Sequence, residues 1–147
     1  MTNDYLEDFY YKNKYEHEIM RIDIHTIPHS EQRYPTVGDY FTDKEGTLHI
    51  LVSKMSDPRY EQLVAIHELI EVLLTEHKNI KEEDITNFDL LFEAERAEGK
   101  HTDDEEPGWD PRSPYGRQHA FAEAIERLTA LQLDVDWETY DKEVNNL

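Results

Sequence analysis

The segment Val64 to Leu74 reads VAIHELIEVLL and is the most apolar helical stretch of the chain. Leu63, Ile66, Leu69, Ile70, Leu73 and Leu74 recur at spacings of three and four, which predicts a helix up to about His77 with one buried face. Three ionisable residues interrupt it: His67, Glu68 and Glu71. With about 100° of rotation per residue, His67 lies about 40° from Leu63 and about 20° from Leu74, so it borders the apolar stripe. Glu71 is about 40° further round, and Glu68 about 60° beyond that. A carboxylate there costs free energy unless something satisfies it. Any fold for this chain must bury that helix and supply those groups with partners.

The flanking sequence supplies a sheet before this helix and more helices after it. Met20, Ile22 and Ile24 alternate with Arg21, Asp23 and His25 across Ile19 to Ile27, the period of a half-buried strand. Val37 to Thr42 and Thr47 to Val52 read as a hairpin joined by Asp43-Lys44-Glu45-Gly46, with Leu48, Ile50 and Val52 on one face. Asp57-Pro58 then gives an N-cap and a first-turn proline. A second helix is expected from about Lys81 to Glu98, stopped by Gly99, and a third from Ser113-Pro114 to about Leu133. In the third, Phe121, Ile125, Leu128 and Leu131 or Gln132 form the expected buried stripe. Asp136 caps a last helix, with Val135 and Tyr140 placed as a hydrophobic staple. Thr2 to Tyr15 mixes acids with aromatics and reads as a short helix. The expected fold class is α+β in one domain over 1–147. A small N-terminal antiparallel sheet (about 19–53) precedes three to four helices (about 58–147), with a long acidic loop at 99–114.

Charge narrows the partners. The chain carries 15 basic and 34 acidic residues in 147, a formal net charge of −19. That disfavours nucleic acid and anionic membrane surfaces, because phosphate binding is driven by Lys and Arg. It leaves solubility, a carboxylate-rich cation site, or an acidic surface that occupies a basic protein partner. No apolar run spans a bilayer and the N-terminus has no signal-peptide pattern. Cysteine is absent, which removes disulfides and thiolate chemistry and makes a cytoplasmic location the expectation.

A metal ion is one partner that would satisfy the VAIHELIEVLL helix. Residues four apart share a helix face, so His67 and Glu71 can reach one point, and an imidazole with a carboxylate suits zinc, manganese or iron. Glu68 lies beside them but points elsewhere, as a general base would. HELIE resembles the H-E-x-x-H helix of zincin-like metallohydrolases, whose small sheet precedes that helix. The resemblance implies His67 as first ligand, Glu68 as base and Glu71 in the place of the second histidine. It also implies an edge strand that pairs with an extended peptide substrate, in sequence Thr47 to Val52. The departure is Glu71, which lowers the charge of the site and puts peptidase activity in question. As a whole the chain is also similar to small proteins carried by phages, which implies nothing about chemistry.

The later helix repeats the spacing as HAFAE, with His119 and Glu123 four apart and Ala120 where the base would be. If Phe121, Ile125 and Leu128 face the core, His119 and Glu123 face water. If the small Ala122 and Ala130 let this face approach HELIE, His119 becomes the third ligand. Glu123 is then a ligand or the carboxylate that orients an imidazole. Asp89, Glu93 and Arg96 share a face and read as surface ion pairs. His101 with Asp103, Asp104, Glu105 and Glu106 reads as a solvated patch, and Trp109, Arg112 and Tyr115 could fold their loop over a site. The expected function is a hydrolase dependent on a divalent metal, zinc first, with manganese, iron or magnesium as alternatives. A non-enzymatic acidic blocker of a basic protein is the second reading. A magnesium-dependent nucleotide pyrophosphohydrolase using Glu68-x-x-Glu71 and Glu123-x-x-Glu126 is the third. No phosphate-binding glycine loop and no serine-hydrolase elbow is present.

Overall fold

The computed structural model describes Glu7 and residues 19–147; apart from Glu7, the expected helix over Thr2 to Tyr15 lies outside the described residues. The class is α+β. A sheet of β1 (Ile22–Ile27), β2 (Gly38–Thr42) and β3 (Leu48–Ser53) precedes α1 (Pro58–His77), α2 (Glu82–Ala97), α3 (Gly116–Gln132) and α4 (Trp137–Asn145). Among the described residues no helix is long and apolar enough to cross a membrane.

The strand order is β1-β3-β2. The hairpin is antiparallel, with Tyr40 opposite Ile50, and Gly46 at φ 86° closes its turn. The pairing of β1 with β3 is parallel, with Ile24 beside Ile50, so the expectation of an antiparallel sheet holds for the hairpin alone. Residues 28–47 separate the two parallel strands and include β2 itself, which gives the chain length enough to return in the same direction. Two further expectations change with this order. Leu48–Ser53 is the central strand, with both edges occupied, so it cannot be the substrate-pairing edge; among the described residues β2 is an edge instead. Ile24 is 53% exposed, because β1 is the opposite edge and little covers it.

Helix α1 lies over β2 and β3 and is covered on its other side by α3. Asp57 accepts a hydrogen bond from the Arg59 N–H at its start, with Pro58 in the first turn. The core joins Leu48, Ile50 and Val52 of β3 to Leu63 and Val64 of α1 and to Tyr140 of α4. Asp136 caps α4 through the Thr139 N–H, and Val135 and Tyr140 are both buried. Because two layers sandwich α1, its buried line runs Tyr60, Val64, His67, Glu71 and Thr75, while Leu73 is 40% exposed. The ionisable pair thus occupies the middle of the buried face.

Helix α3 corrects the sequence reading twice. It begins at Gly116, two residues after Ser113-Pro114. Its buried face is His119, Ala122, Glu126 and Ala130, and Phe121, Leu128 and Leu131 are 52%, 60% and 70% exposed. The alanines admit the close approach of α1, and the polar pair is buried because partners on α1 and α4 satisfy it.

Candidate metal centre

His67 and Glu71 meet His119 between α1 and α3. His67 Nε2 is 3.2 Å from Glu71 Oε2 and 3.2 Å from His119 Nδ1, and His119 Nδ1 is 3.1 Å from the same Glu71 oxygen. All three residues are nearly inaccessible to solvent. Each imidazole turns its other nitrogen to a carboxylate. His67 Nδ1 lies 2.7 Å from Glu126 Oε1, and His119 Nε2 lies 3.0 Å from Glu106 Oε2. The Tyr140 hydroxyl donates to the remaining Glu126 oxygen at 2.5 Å. If each outer nitrogen carries its proton, two imidazole lone pairs and a carboxylate oxygen face one another, and they require a cation at their centre.

That cation can be a proton or a metal. Burial alone pushes the His67 imidazole down, yet the bonds to Glu126 and Glu71 outweigh it and hold it up at about 11. His119 follows the same pattern through Glu106 and Glu71 and stands at about 9. Burial pushes the Glu71 carboxyl up, but the two imidazoles win and hold it below its ordinary value. The donors also fit a transition metal. Tetrahedral zinc with bonds of about 2.0–2.1 Å sets its donors about 3.3 Å apart, close to the separations here.

Glu68 stands next to this triangle and is built differently. Its side chain makes no hydrogen bond or ion pair among the described residues, and it lies against the backbone of β2 at Gly38. A Cβ at Gly38 would fall 2.5 Å from Glu68 Oε1, so glycine is what leaves room for the carboxylate. Burial and then the Glu71 charge push Glu68 up to about 8. Glu68, Glu71 and His119 all line a cavity of about 530 Å³ bounded by α1, α2, α3, β2 and part of the acidic loop. Its walls carry a dozen carboxylates against the guanidinium of Arg96, among the described residues.

The other sequence candidates divide. Glu123 lines the cavity wall but stands outside the triangle, 3.5 Å from Arg127 Nε. The orienting role expected of it belongs to Glu126, one turn further along and on the same face. Glu106 is half-exposed but not without a partner: it reaches His119, which holds its carboxyl below its ordinary value against the upward push of burial. His101 is likewise packed, stacked on Phe92 with ring centres 3.9 Å apart and bonded to Glu95 and Glu105. The acidic loop closes over the centre at Gly108, where a Cβ would lie 2.3 Å from His119 Cγ. Trp109 stands edge-on to the same ring at 5.5 Å. Glu93 and Arg96 pair at 3.1 Å, but as half-buried groups of the cavity wall rather than on the surface; Asp89 is buried and accepts hydrogen bonds from Tyr34 at 3.0 Å and Tyr115 at 2.5 Å. Tyr115 in turn packs edge-on to His119 at 6.2 Å. No family model matches the chain, and no curated protein or solved structure does either.

Proposed function

We propose that this chain is a metal-dependent hydrolase in which His67, Glu71 and His119 hold a divalent ion of the zinc class. The observation that carries the reading is the triangle itself: three inward-facing donor atoms 3.1–3.2 Å apart, with each histidine backed by its own carboxylate. The bound ion would supply Lewis acidity to a water and to a polarised substrate oxygen. Glu68 is the general base, because it is the carboxylate beside the triangle that no neighbour occupies. It takes the proton of the attacking water and returns it to the leaving group. An extended peptide is the substrate this reading assigns, because β2 is an edge strand among the described residues and its Gly38, Asp39 and Tyr40 line the cavity. The acidic walls favour a peptide carrying positive charge.

The same walls weigh against the other readings. A magnesium-dependent nucleotide pyrophosphohydrolase with these E-x-x-E helices would be all-helical, and this chain is α+β. A blocker of a basic protein spreads its acids over an open face, whereas here a dozen converge on one cavity. The test is elemental analysis of tag-free wild type beside His67→Ala and Glu68→Gln, with cleavage of a basic peptide library read by mass spectrometry. The expected result is an ion lost in His67→Ala, kept in Glu68→Gln, and cleavage lost in both. A metal-free wild type that neither binds added zinc or manganese nor cleaves peptide sinks the proposal.

A further inference from the structure

The outer face of the sheet carries a second set of donors, away from the helices. Parallel pairing places Asp23 directly beside His49, and the pleat returns His25 to the same face two residues later. Leu48 and Ile50 on either side of His49 point inward to the core, so His49 points out. Asp23, His25 and His49 each offer one ligand atom, and these atoms all lie within 4.8 Å of one another.

Three features organise the group. The His49 ring is stacked on Phe41 of the neighbouring strand, with centres 4.8 Å apart and planes 13° apart. The His25 ring lies nearly parallel to it at 5.9 Å. Asp43, at the start of the hairpin turn, lies 2.7 Å from His49 Nε2. With Nε2–H donated to Asp43, Nδ1 keeps its lone pair, the arrangement in which a carboxylate orients a metal-binding imidazole. The side chains of Asp23 and His25 make no hydrogen bond or ion pair among the described residues, so no described neighbour competes for their donor atoms.

We propose that Asp23, His25 and His49 form a second divalent metal site, independent of the buried centre and facing solvent. Two imidazoles and a carboxylate select zinc, copper or nickel over magnesium and calcium. Three protein donors leave a coordination position for water. The site would tie the exposed edge strand β1 to the central strand β3, so its role is to clamp an edge that little apolar burial holds.

Zinc titration of the full chain by calorimetry tests this, with bound zinc counted after dialysis. Wild type, His25→Ala, Asp43→Asn and His67→Ala are compared. Because His25 is exposed, its removal leaves the fold intact, which far-ultraviolet circular dichroism checks. The expected result is one zinc equivalent lost in His25→Ala while the equivalent dependent on His67 remains. Asp43→Asn should weaken the outer site about 10- to 100-fold. Hydrogen exchange in β1 should slow on adding zinc to wild type and to His67→Ala, but not to His25→Ala. Unchanged zinc stoichiometry and affinity in His25→Ala overturns the proposal whatever His67→Ala does; loss confined to His67→Ala leaves the buried centre standing alone.

Discussion

Glu126 Oε1 lies 2.7 Å from His67 Nδ1, and the Tyr140 hydroxyl holds the other oxygen of the same carboxylate. Helices α3 and α4 together therefore decide which nitrogen of His67 faces the cavity. In Glu126→Gln the shape is kept but the charge that fixes the ring is lost. Affinity of the buried centre for zinc should fall about 10- to 100-fold, measured by competition with a chromophoric chelator. An unchanged affinity would show that Glu126 has no hold on the imidazole.

Gly108→Ala and Gly38→Ala should separate packing from chemistry. At Gly108 the added methyl meets the ring of His119, which cannot retreat because Glu106, Glu71 and Trp109 surround it. A stability loss of about 1–3 kcal/mol in urea is expected, together with weaker zinc binding. At Gly38 the methyl meets the flexible end of Glu68. The stability cost should be smaller and zinc affinity retained, while the proposed peptide cleavage falls because Glu68, its proposed base, is displaced.

Asp89 should make the fold less stable as pH rises. Burial, above all, pushes its carboxyl from an ordinary value of 3.8 up to about 6, against the lowering effect of its bonds from Tyr115 and Tyr34. The folded state therefore binds this proton more tightly than the unfolded chain. The stability it contributes is present below about pH 4 and is lost as pH rises through about 6. Two pH units correspond to at most about 3 kcal/mol. Asp89→Asn should be more stable than wild type at pH 7, with the gap closing toward pH 4, as read from urea midpoints at both pH values. A gap that widens on acidification would reverse the sign.

The outer face of α3 should tolerate polar substitution. Phe121 and Leu128 are 52% and 60% exposed, so Phe121→Gln and Leu128→Gln should each change stability by less than about 0.5 kcal/mol. Ala122 is fully buried against α1, and Ala122→Leu should cost about 1–3 kcal/mol by overpacking. Thermal unfolding of the three variants side by side distinguishes this face from the opposite one.

What was legible in the sequence follows from local physics. The cap at Asp57, the staple of Val135 and Tyr140, the hairpin turn and the inward face of β3 each depend on residues close together in the chain, and each is found where its pattern places it. His67 and Glu71 belong to the same class, because four residues of helix bring them together whatever surrounds them. The outward face of α3 misleads for a corresponding reason. Apolar periodicity ranks Phe121 and Leu128 as core, but periodicity has no knowledge of the helix opposite. A face of alanines carrying His119 and Glu126 packs more closely on α1 and is satisfied there.

The sequence by itself determined the elements, the α+β class and one half of the candidate centre, since helix rotation and strand alternation act over a few residues. Tertiary structure alone decided the rest. It brought His119 to within 3.2 Å of His67 across 52 residues, chose Glu126 over Glu123 as the orienting carboxylate, and folded Glu106 and Gly108 of the acidic loop onto His119. It also set β1 parallel to β3, bringing Asp23 and His25 beside His49. A buried charge must be met by a partner, and which residue meets it depends on distances that only the packed chain defines.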